Sequence, residues 1–434
     1  MDKLKILPAQ KLSGEIKVPG DKSISHRAVM LGALAEGETI VNNFLNSADC
    51  RATAECFRQM GIELTANGSQ LTILGKGLKG LYKPSKSLDV GNSGTTLRLL
   101  SGILAGQNFE TTITGDSSIQ KRPMKRIVEP LELMGAKVLG LRSEVRGQEE
   151  IFPPLTITGS KLKGITYKMP IASAQVKSCL LLAGLYAEGE TTIVEPYPSR
   201  DHTERMLAYF GVPVKKFKNE VSISAPSAFE GREIFVPGDI SSAAYFLVAG
   251  ALLPGSDIEI RGVGTNPTRT GILEVMHRMG VEFFVKDEEI ISGEPRANIR
   301  VTGLGYNLKG IEIGGDLIPR LIDEIPIIAV LATQAEGQTI IKDAKELRVK
   351  ESDRIRTIST ELTKMGAKIE EKEDGMIIYG PTKLKAAKID SHGDHRVAMS
   401  AAIAGLIAEG QTVIEDTECI ETSFPGFLKD YFKA

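Results

Sequence analysis

The sequence predicts an α/β protein of two domains, each built from three copies of a helix–strand–helix–strand–strand unit. Three observations predict it. A short phrase recurs six times: AEGETI (35–40), LAGQNFETTI (104–113), AEGETTI (187–193), LPGSDIEI (253–260), AEGQTI (335–340) and AEGQTV (408–413). An apolar helical run precedes each phrase, a β-branched strand follows it, and the glycines fall 66 to 83 residues apart. A second helix in five of the units ends in a matching tag: Met60-Gly61, Met134-Gly135, Phe210-Gly211, Met279-Gly280 and Met365-Gly366. Glycine suits the position just after a helix, where positive φ is needed. Finally, VPGD occurs at 18–21 and again at 236–239, before the first and fourth repeats.

The first repeat sets the pattern. In VPGDKSISHRAVMLGALAEGE (18–38), Ile24, Ala28, Leu31, Leu34 and Ala35 follow helical spacing, so one face is core. After the second helix, IELTANGSQLTILG (62–75) reads as a strand pair turning at Asn67-Gly68. The sixth repeat departs from this order: its last helix, FPGFLKDYFKA (424–434), has no strand pair behind it. LKILPAQKLSGEIKVPG precedes the first repeat, so residues 1–19 are expected to finish the sixth unit. One domain is then 20–237 and the other is 1–19 with 238–434. The alternative, one elongated solenoid, does not explain a VPGD doubled at the half-way repeat.

Composition narrows the function. A chain of 434 residues exceeds one compact core. Hydrophobic content of 42 % and a net charge of −2 describe an ordinary soluble protein. Nucleic-acid surfaces are usually strongly basic, so none is expected here. Cys50, Cys56, Cys179 and Cys419 form no CxxC pair, which signals neither a zinc ribbon nor a disulfide frame. MDKLKILPAQ has no signal-peptide apolar region and no stretch is long enough to span a membrane, so the cytoplasm is expected.

The chemistry lies at the helix starts. GDKSISHR (20–27), GNSGTTLR (91–98), PIASAQVK (170–177), GDISSAA (238–244), IPRLIDEIP (318–326) and GDHR (393–396) lead into the six apolar runs. Cations such as Lys22 and Arg27 are unfavourable at the positive end of a helix dipole. They make sense if an anion sits between them and the free backbone N–H groups. Gly91 and Gly94 let the backbone approach a ligand, and Thr95 and Thr96 add hydroxyl donors. Singly these are weak signals: Asp21 takes the place of a P-loop glycine, and no GxGxxG is present. Their recurrence in related units would aim several helix N-termini at one place.

Two loops add charge. QKRPMKR (120–126) puts Lys121 and Arg122 before Pro123, a natural first helical residue. LRVKESDRIR (347–356) groups Lys350, Glu351 and Arg354, although a solvated helix would carry the same run. His392-Gly393-Asp394-His395 resembles a metal-binding fragment, but no third His or Cys lies nearby, so no metal and no cofactor is expected. His202 and His277 read as surface or core histidines.

KVPGDKSISHRA, GNSGTTLR, QKRPMKR, ASAQVKS, DEIPIIAV, KESDRI and GDHRVAM occur in that order. Together they resemble the 5-enolpyruvylshikimate-3-phosphate synthase family, end to end. The resemblance implies the two-domain enolpyruvyl transferase fold, an inside-out α/β barrel with three βαβαββ units per domain. It implies transfer of the enolpyruvyl group of phosphoenolpyruvate to the 5-hydroxyl of shikimate 3-phosphate, with release of phosphate, on the route to aromatic amino acids; such an enzyme is a glyphosate target. Lys22, Ser23, Arg27, Ser173, Gln175, Ser199, Arg200, Asp323 and Lys350 would then contact shikimate 3-phosphate. Lys22, Gly94, Arg122, Gln175, Arg354 and Arg396 would contact phosphoenolpyruvate, and Asp323, Glu351, Lys22 and His395 would be catalytic. The partners are these two small molecules, with no nucleic acid, no membrane and a monomer expected.

Together the substrates carry roughly −5 to −6, against Lys22, Arg27, Arg122, Lys350, Arg354 and Arg396. Two residues depart from the family pattern. Ala174 stands where some members have a second Ser, which shifts weight to Arg200, and Thr422 stands where some have a Lys. Three rivals fit less well. The sister enzyme acting on UDP-N-acetylglucosamine usually has a Cys before its Arg-Pro, and GDSSIQKRP (115–123) has none. An RNA 3′-phosphate cyclase would want a nucleotide site and a basic surface. A repeat scaffold would not need cations at matching helix starts.

Overall fold

Helices that are apolar on every side must lie inside, and each half of the chain has three of them. The structure is a computed structural model that describes residues 3–145, 147–305 and 307–427. In it the helices Lys22–Leu34, Gly94–Ala105 and Ala174–Gly184 are buried along most of their length. So are Ile240–Leu252, Ile325–Ala332 and His395–Ile407. The companion helices Ala48–Gln59, Lys125–Leu133, His202–Tyr209, Gly271–Arg278 and Arg354–Lys364 bury one face only.

The chain divides into two compact units, each with its own apolar core. One is Gly20–Val236 with the hairpin tip Ile291–Glu294; the other is the rest of the described chain. They are called here the 20–236 unit and the 237–427 unit. Each repeat has one element more than the periodicity predicts. A short lead strand precedes each buried helix, and in four repeats it pairs in parallel with the strand after that helix. Ser13–Ile16 and Glu233–Phe235, which precede Lys22–Leu34 and Ile240–Leu252, are exchanged and pair in the fourth and the first repeat. In the 20–236 unit Leu88–Asp89 leads Glu110–Thr114 and Thr166–Lys168 leads Glu190–Val194, whereas the place beside Glu36–Asn42 is taken by Glu233–Phe235 from the far end of the unit. An antiparallel strand pair completes each of these four-stranded sheets. Lead strands of two or three residues are too short for periodicity to register.

The amino terminus corrects one expectation. Lys3–Ile6 pairs antiparallel with Thr412–Glu415 and so completes the sixth sheet, which has three strands. Ser13–Ile16 does not join it; it pairs in parallel with Asp257–Gly264 and leads the fourth repeat. Leu7–Leu12, with Pro8 lacking an N–H, is too long and too broken to turn the two strands into a hairpin. The helix expected over 424–434 lies, from residue 428 on, outside the described residues.

The tag glycines Gly61, Gly135, Gly211, Gly280 and Gly366 all have φ between +86° and +100°. Among the phrase glycines Gly106 differs, with φ −91°. A Cβ there would stand 2.2 Å from the Tyr186 ring, so packing and not backbone conformation excludes a side chain. The first hairpin turns at Gly68-Ser69, one residue later than expected, because Asn67 pairs with Gln70. No helix among the described residues is long and apolar enough to cross a membrane.

Candidate active site

In the 20–236 unit the first buried helix begins with a carboxylate of its own. Asp21 Oδ1 accepts from Ile24 N at 2.9 Å, closing the helix end that the sequence reading left open for an anion. Lys22 pairs with Asp49. Arg27 is 4 % exposed and donates through Nε to Thr203 Oγ1 (2.7 Å), through Nη1 to Ser23 O (2.9 Å) and through Nη2 to Ser178 Oγ (2.7 Å). A guanidinium has five N–H donors, so one remains on each Nη for a ligand acceptor. Burial lowers Arg27 to about 10, while Glu204 and Asp21 oppose the shift; it stays charged at neutral pH.

A chain of hydroxyls fixes the next helix start. His26 Nδ1 meets Thr53 Oγ1 at 2.7 Å, Thr53 meets Thr96 Oγ1 at 2.6 Å, and Thr96 donates to Ser93 Oγ at 2.7 Å. Burial first, then the charges of Lys22 and Arg27, push His26 well below its usual range, so the relay stays neutral. Ser93 in turn caps Gly94–Ala105 by accepting from Thr96 N. At Gly94 a Cβ would meet Arg98 Nη1 at 2.8 Å and Arg122 Nη1 at 3.1 Å. Arg98 donates to Gln175 Oε1 at 2.7 Å, Gln175 donates to Thr95 Oγ1 at 3.2 Å, and Arg122 donates to Asn92 Oδ1 at 2.7 Å. Gly94, Arg122 and Gln175 therefore come together, joined by Arg98. Sequence reasoning missed Arg98, although a lone cation inside the apolar run TTLRLLSGIL is a readable signal.

The third helix start is looser. Ser173 caps Ala174–Gly184, accepting from Val176 N at 3.5 Å. Ser199 is 3 % exposed and its hydroxyl is engaged by Glu195. Arg200 lies near enough to Arg27 for its charge to lower that group.

In the 237–427 unit the candidate proton-handling carboxylates share one cation. Arg354, 2 % exposed, donates through Nε to Asp394 Oδ2 (2.8 Å), through Nη1 to Asp323 Oδ1 (3.2 Å) and through Nη2 to Glu351. Burial alone would lower this guanidinium, but Asp394, Glu351 and Asp323 outweigh it and raise it. Lys350 Nζ stands 4.0 Å from Asp323, and burial pushes it down while that carboxylate opposes. Arg396 is buried; although burial would lower it, Tyr245, Asp323, Asp239 and Glu324 hold it above its usual range. His395 is buried at the first position of its helix.

Two expectations change here. The buried helices of this unit all have acidic residues at their caps: Asp239, which accepts from Ser241 N; Glu324; and Asp394, which accepts from Arg396 N. At Asp239 and Asp394 the carboxylate itself takes a backbone N–H of the helix end, whereas Glu324 makes no such bond. Nor do all six cations stand unopposed: Lys22 and Arg354 meet carboxylates of the chain itself, since a buried cation is costly without a counter-charge. In the fragment His392-Gly393-Asp394-His395, His392 Nε2 meets Glu361 at 3.1 Å, and Asp394 caps its helix and pairs with Arg354. His202 is a core residue whose Nδ1 meets Glu294 at 2.7 Å.

Residues 6–431 match the family model for EPSP synthase (3-phosphoshikimate 1-carboxyvinyltransferase). A 3-phosphoshikimate 1-carboxyvinyltransferase of Bacillus thuringiensis (strain Al Hakam) is 55 % identical over 422 residues, 97 % of this chain and 96 % of that one. Another from Bacillus cereus (strain B4264) is 56 % identical over the same length. The EPSP synthase structure from Acinetobacter baumannii superposes with TM-score 0.85 and 47 % identity, covering 98 % of this chain and 97 % of that one. The enolpyruvyl transferase NikO from Streptomyces tendae matches with TM-score 0.78 at 17 % identity, over 99 % of this chain and 96 % of its own, a likeness of fold alone.

Proposed function

The chain belongs to the EPSP synthase family, the 3-phosphoshikimate 1-carboxyvinyltransferases, and on that premise we propose how its own residues divide the work. It moves the enolpyruvyl group of phosphoenolpyruvate to the 5-hydroxyl of shikimate 3-phosphate, and not to UDP-N-acetylglucosamine. In this reading Arg27, through its two remaining N–H groups, and Ser23 take the shikimate carboxylate and ring. Ser173, Gln175 and the Ser199–Arg200 pair take its phosphate. Arg122, packed against Gly94, takes phosphoenolpyruvate together with Arg354 and Arg396, and Lys22 serves both substrates. The enzyme acts as a monomer in the cytoplasm.

The observation that carries the mechanism is the pair Asp323 and Glu351 on one buried guanidinium. The transfer needs an acid to protonate the methylene carbon and a base to receive the 5-hydroxyl proton. Two carboxylates can divide such roles, and Lys350 Nζ stands 4.0 Å from Asp323 while Glu351 also acts on its charge. His395 and Lys22 assist with protons. Protonation makes the neighbouring carbon electrophilic, and the 5-hydroxyl adds and gives its proton to the base. Phosphate leaves the tetrahedral intermediate with cleavage of the carbon–oxygen bond, while the methyl group returns a proton to the carboxylate that first supplied one. Turnover of shikimate 3-phosphate with phosphoenolpyruvate carrying heavy oxygen at the bridging position tests this. The label is expected in inorganic phosphate; label retained in the organic product refutes the mechanism.

Gly94→Ala is expected to weaken phosphoenolpyruvate, and analogues that crowd its site such as glyphosate, more than shikimate 3-phosphate. A methyl there pushes on the Arg98 and Arg122 guanidinium groups. Steady-state KM values for both substrates check this, and equal losses would mean that Gly94 serves the local backbone only.

A further inference from the structure

The 20–236 unit holds a buried charge cluster that the transfer itself does not use. Lys177 lies on the apolar helix Ala174–Gly184 and is 1 % exposed. Its Nζ donates to Glu195 Oε2 at 2.7 Å, to Ser199 O at 3.2 Å and to Glu204 Oε1 at 2.7 Å. These acceptors are the start, the middle and the end of one segment, residues 195–204. Glu195 also receives Ser199 N at 3.4 Å and the Ser199 hydroxyl, and Thr203 in the same segment receives Arg27 Nε. Despite burial, which alone would lower it, Glu204 and Glu195 raise Lys177, so it is a fixed cation.

We propose that Lys177, Glu195 and Glu204 are positioning residues: a buried clamp that holds segment 195–204 so that Arg200 meets the phosphate of shikimate 3-phosphate. The proposal rests on the substrate reading above and deepens it. Lys177 cannot touch the substrate usefully, because all three ammonium protons are already given to the segment. Ser199 is limited in the same way. Its hydroxyl donates to Glu195, and towards a phosphate, which only accepts, it offers lone pairs. Among the side chains of the segment's Ser199–Arg200 pair, the cation is the one suited to a dianion. Arg200 is also near Arg27, whose remaining donors suit the carboxylate of the same molecule. A buried ion cluster is costly beside an apolar side chain of similar volume; pinning ten residues at three points gives it a purpose that apolar packing does not supply.

Glu204→Gln in the full-length enzyme tests the clamp with the least damage, because Glu204 Oε2 has no hydrogen-bond partner and an amide keeps the Oε1 acceptor. Titration calorimetry compares shikimate 3-phosphate with shikimate, the same ring without the phosphate. Positioning predicts that affinity for shikimate 3-phosphate falls about tenfold, one charge-assisted contact, while affinity for shikimate and KM for phosphoenolpyruvate stay within about twofold. The substitution also removes a negative charge that acts on Arg27, so a purely electrostatic role predicts tighter binding. Lys177→Arg, which keeps the charge but not the three convergent bonds, is expected to give the same pattern. Unchanged or tighter binding of shikimate 3-phosphate, or equal losses for both ligands, overturns the clamp. A wild-type enzyme that binds shikimate 3-phosphate no better than shikimate overturns the substrate reading instead.

Discussion

Glu351→Gln is expected to lower turnover by about 10²–10⁴ with substrate binding largely intact, and Asp323→Asn by a similar factor. Each amide keeps the shape of the side chain and one acceptor for Arg354, but it cannot carry a proton at working pH. The site should survive either change, because Arg354 keeps its bond to the fully buried Asp394 at 2.8 Å. Removing Arg354 instead would take the shared buried cation from three carboxylates at once, so its loss would report stability as well as chemistry. Pre-steady-state turnover with calorimetric binding of each substrate separates the effects. Full turnover in either variant, or a loss that follows KM alone, removes that carboxylate from the proton chemistry.

Arg122→Ala is expected to weaken phosphoenolpyruvate by several kcal/mol, since each charge-assisted contact is worth about 1.5–3 kcal/mol. The side chain is 7 % exposed yet hydrogen-bonds to the neutral Asn92 and packs on the bare Cα of Gly94. Its truncation leaves Asn92 half-buried, where water can replace the lost bond. Stability should therefore change much less than affinity. A melting temperature that falls in step with affinity would make Arg122 a structural residue.

Much of the candidate site was legible because the motif residues sit at helix starts, which caps and periodicity mark in the chain. The supporting residues were not. Asp49 beneath Lys22, Asp394 behind Arg354, and Glu195 with Glu204 around Lys177 are ordinary acids in the sequence. Lys177 itself had a signal, a cation inside the apolar run VKSCLLLAG, and that signal needed the partners before it meant anything. At three helix ends, those of Lys22–Leu34, Ile240–Leu252 and His395–Ile407, the capping residue was read as part of a turn, and its carboxylate accepts from a backbone N–H there.

By itself the sequence determined the sixfold repeat, the buried and half-buried helices, and the glycines after them. These are local properties, set by spacing of three to four residues and by the φ that only glycine adopts freely. The tertiary structure alone decided that Ser13–Ile16 leads the fourth repeat while Lys3–Ile6 closes the sixth, and which carboxylate each cation meets. Strand partners and counter-charges come from residues tens to hundreds of positions away. Burial, which sets what an unpaired charge costs, depends on what surrounds a side chain and not on what precedes it.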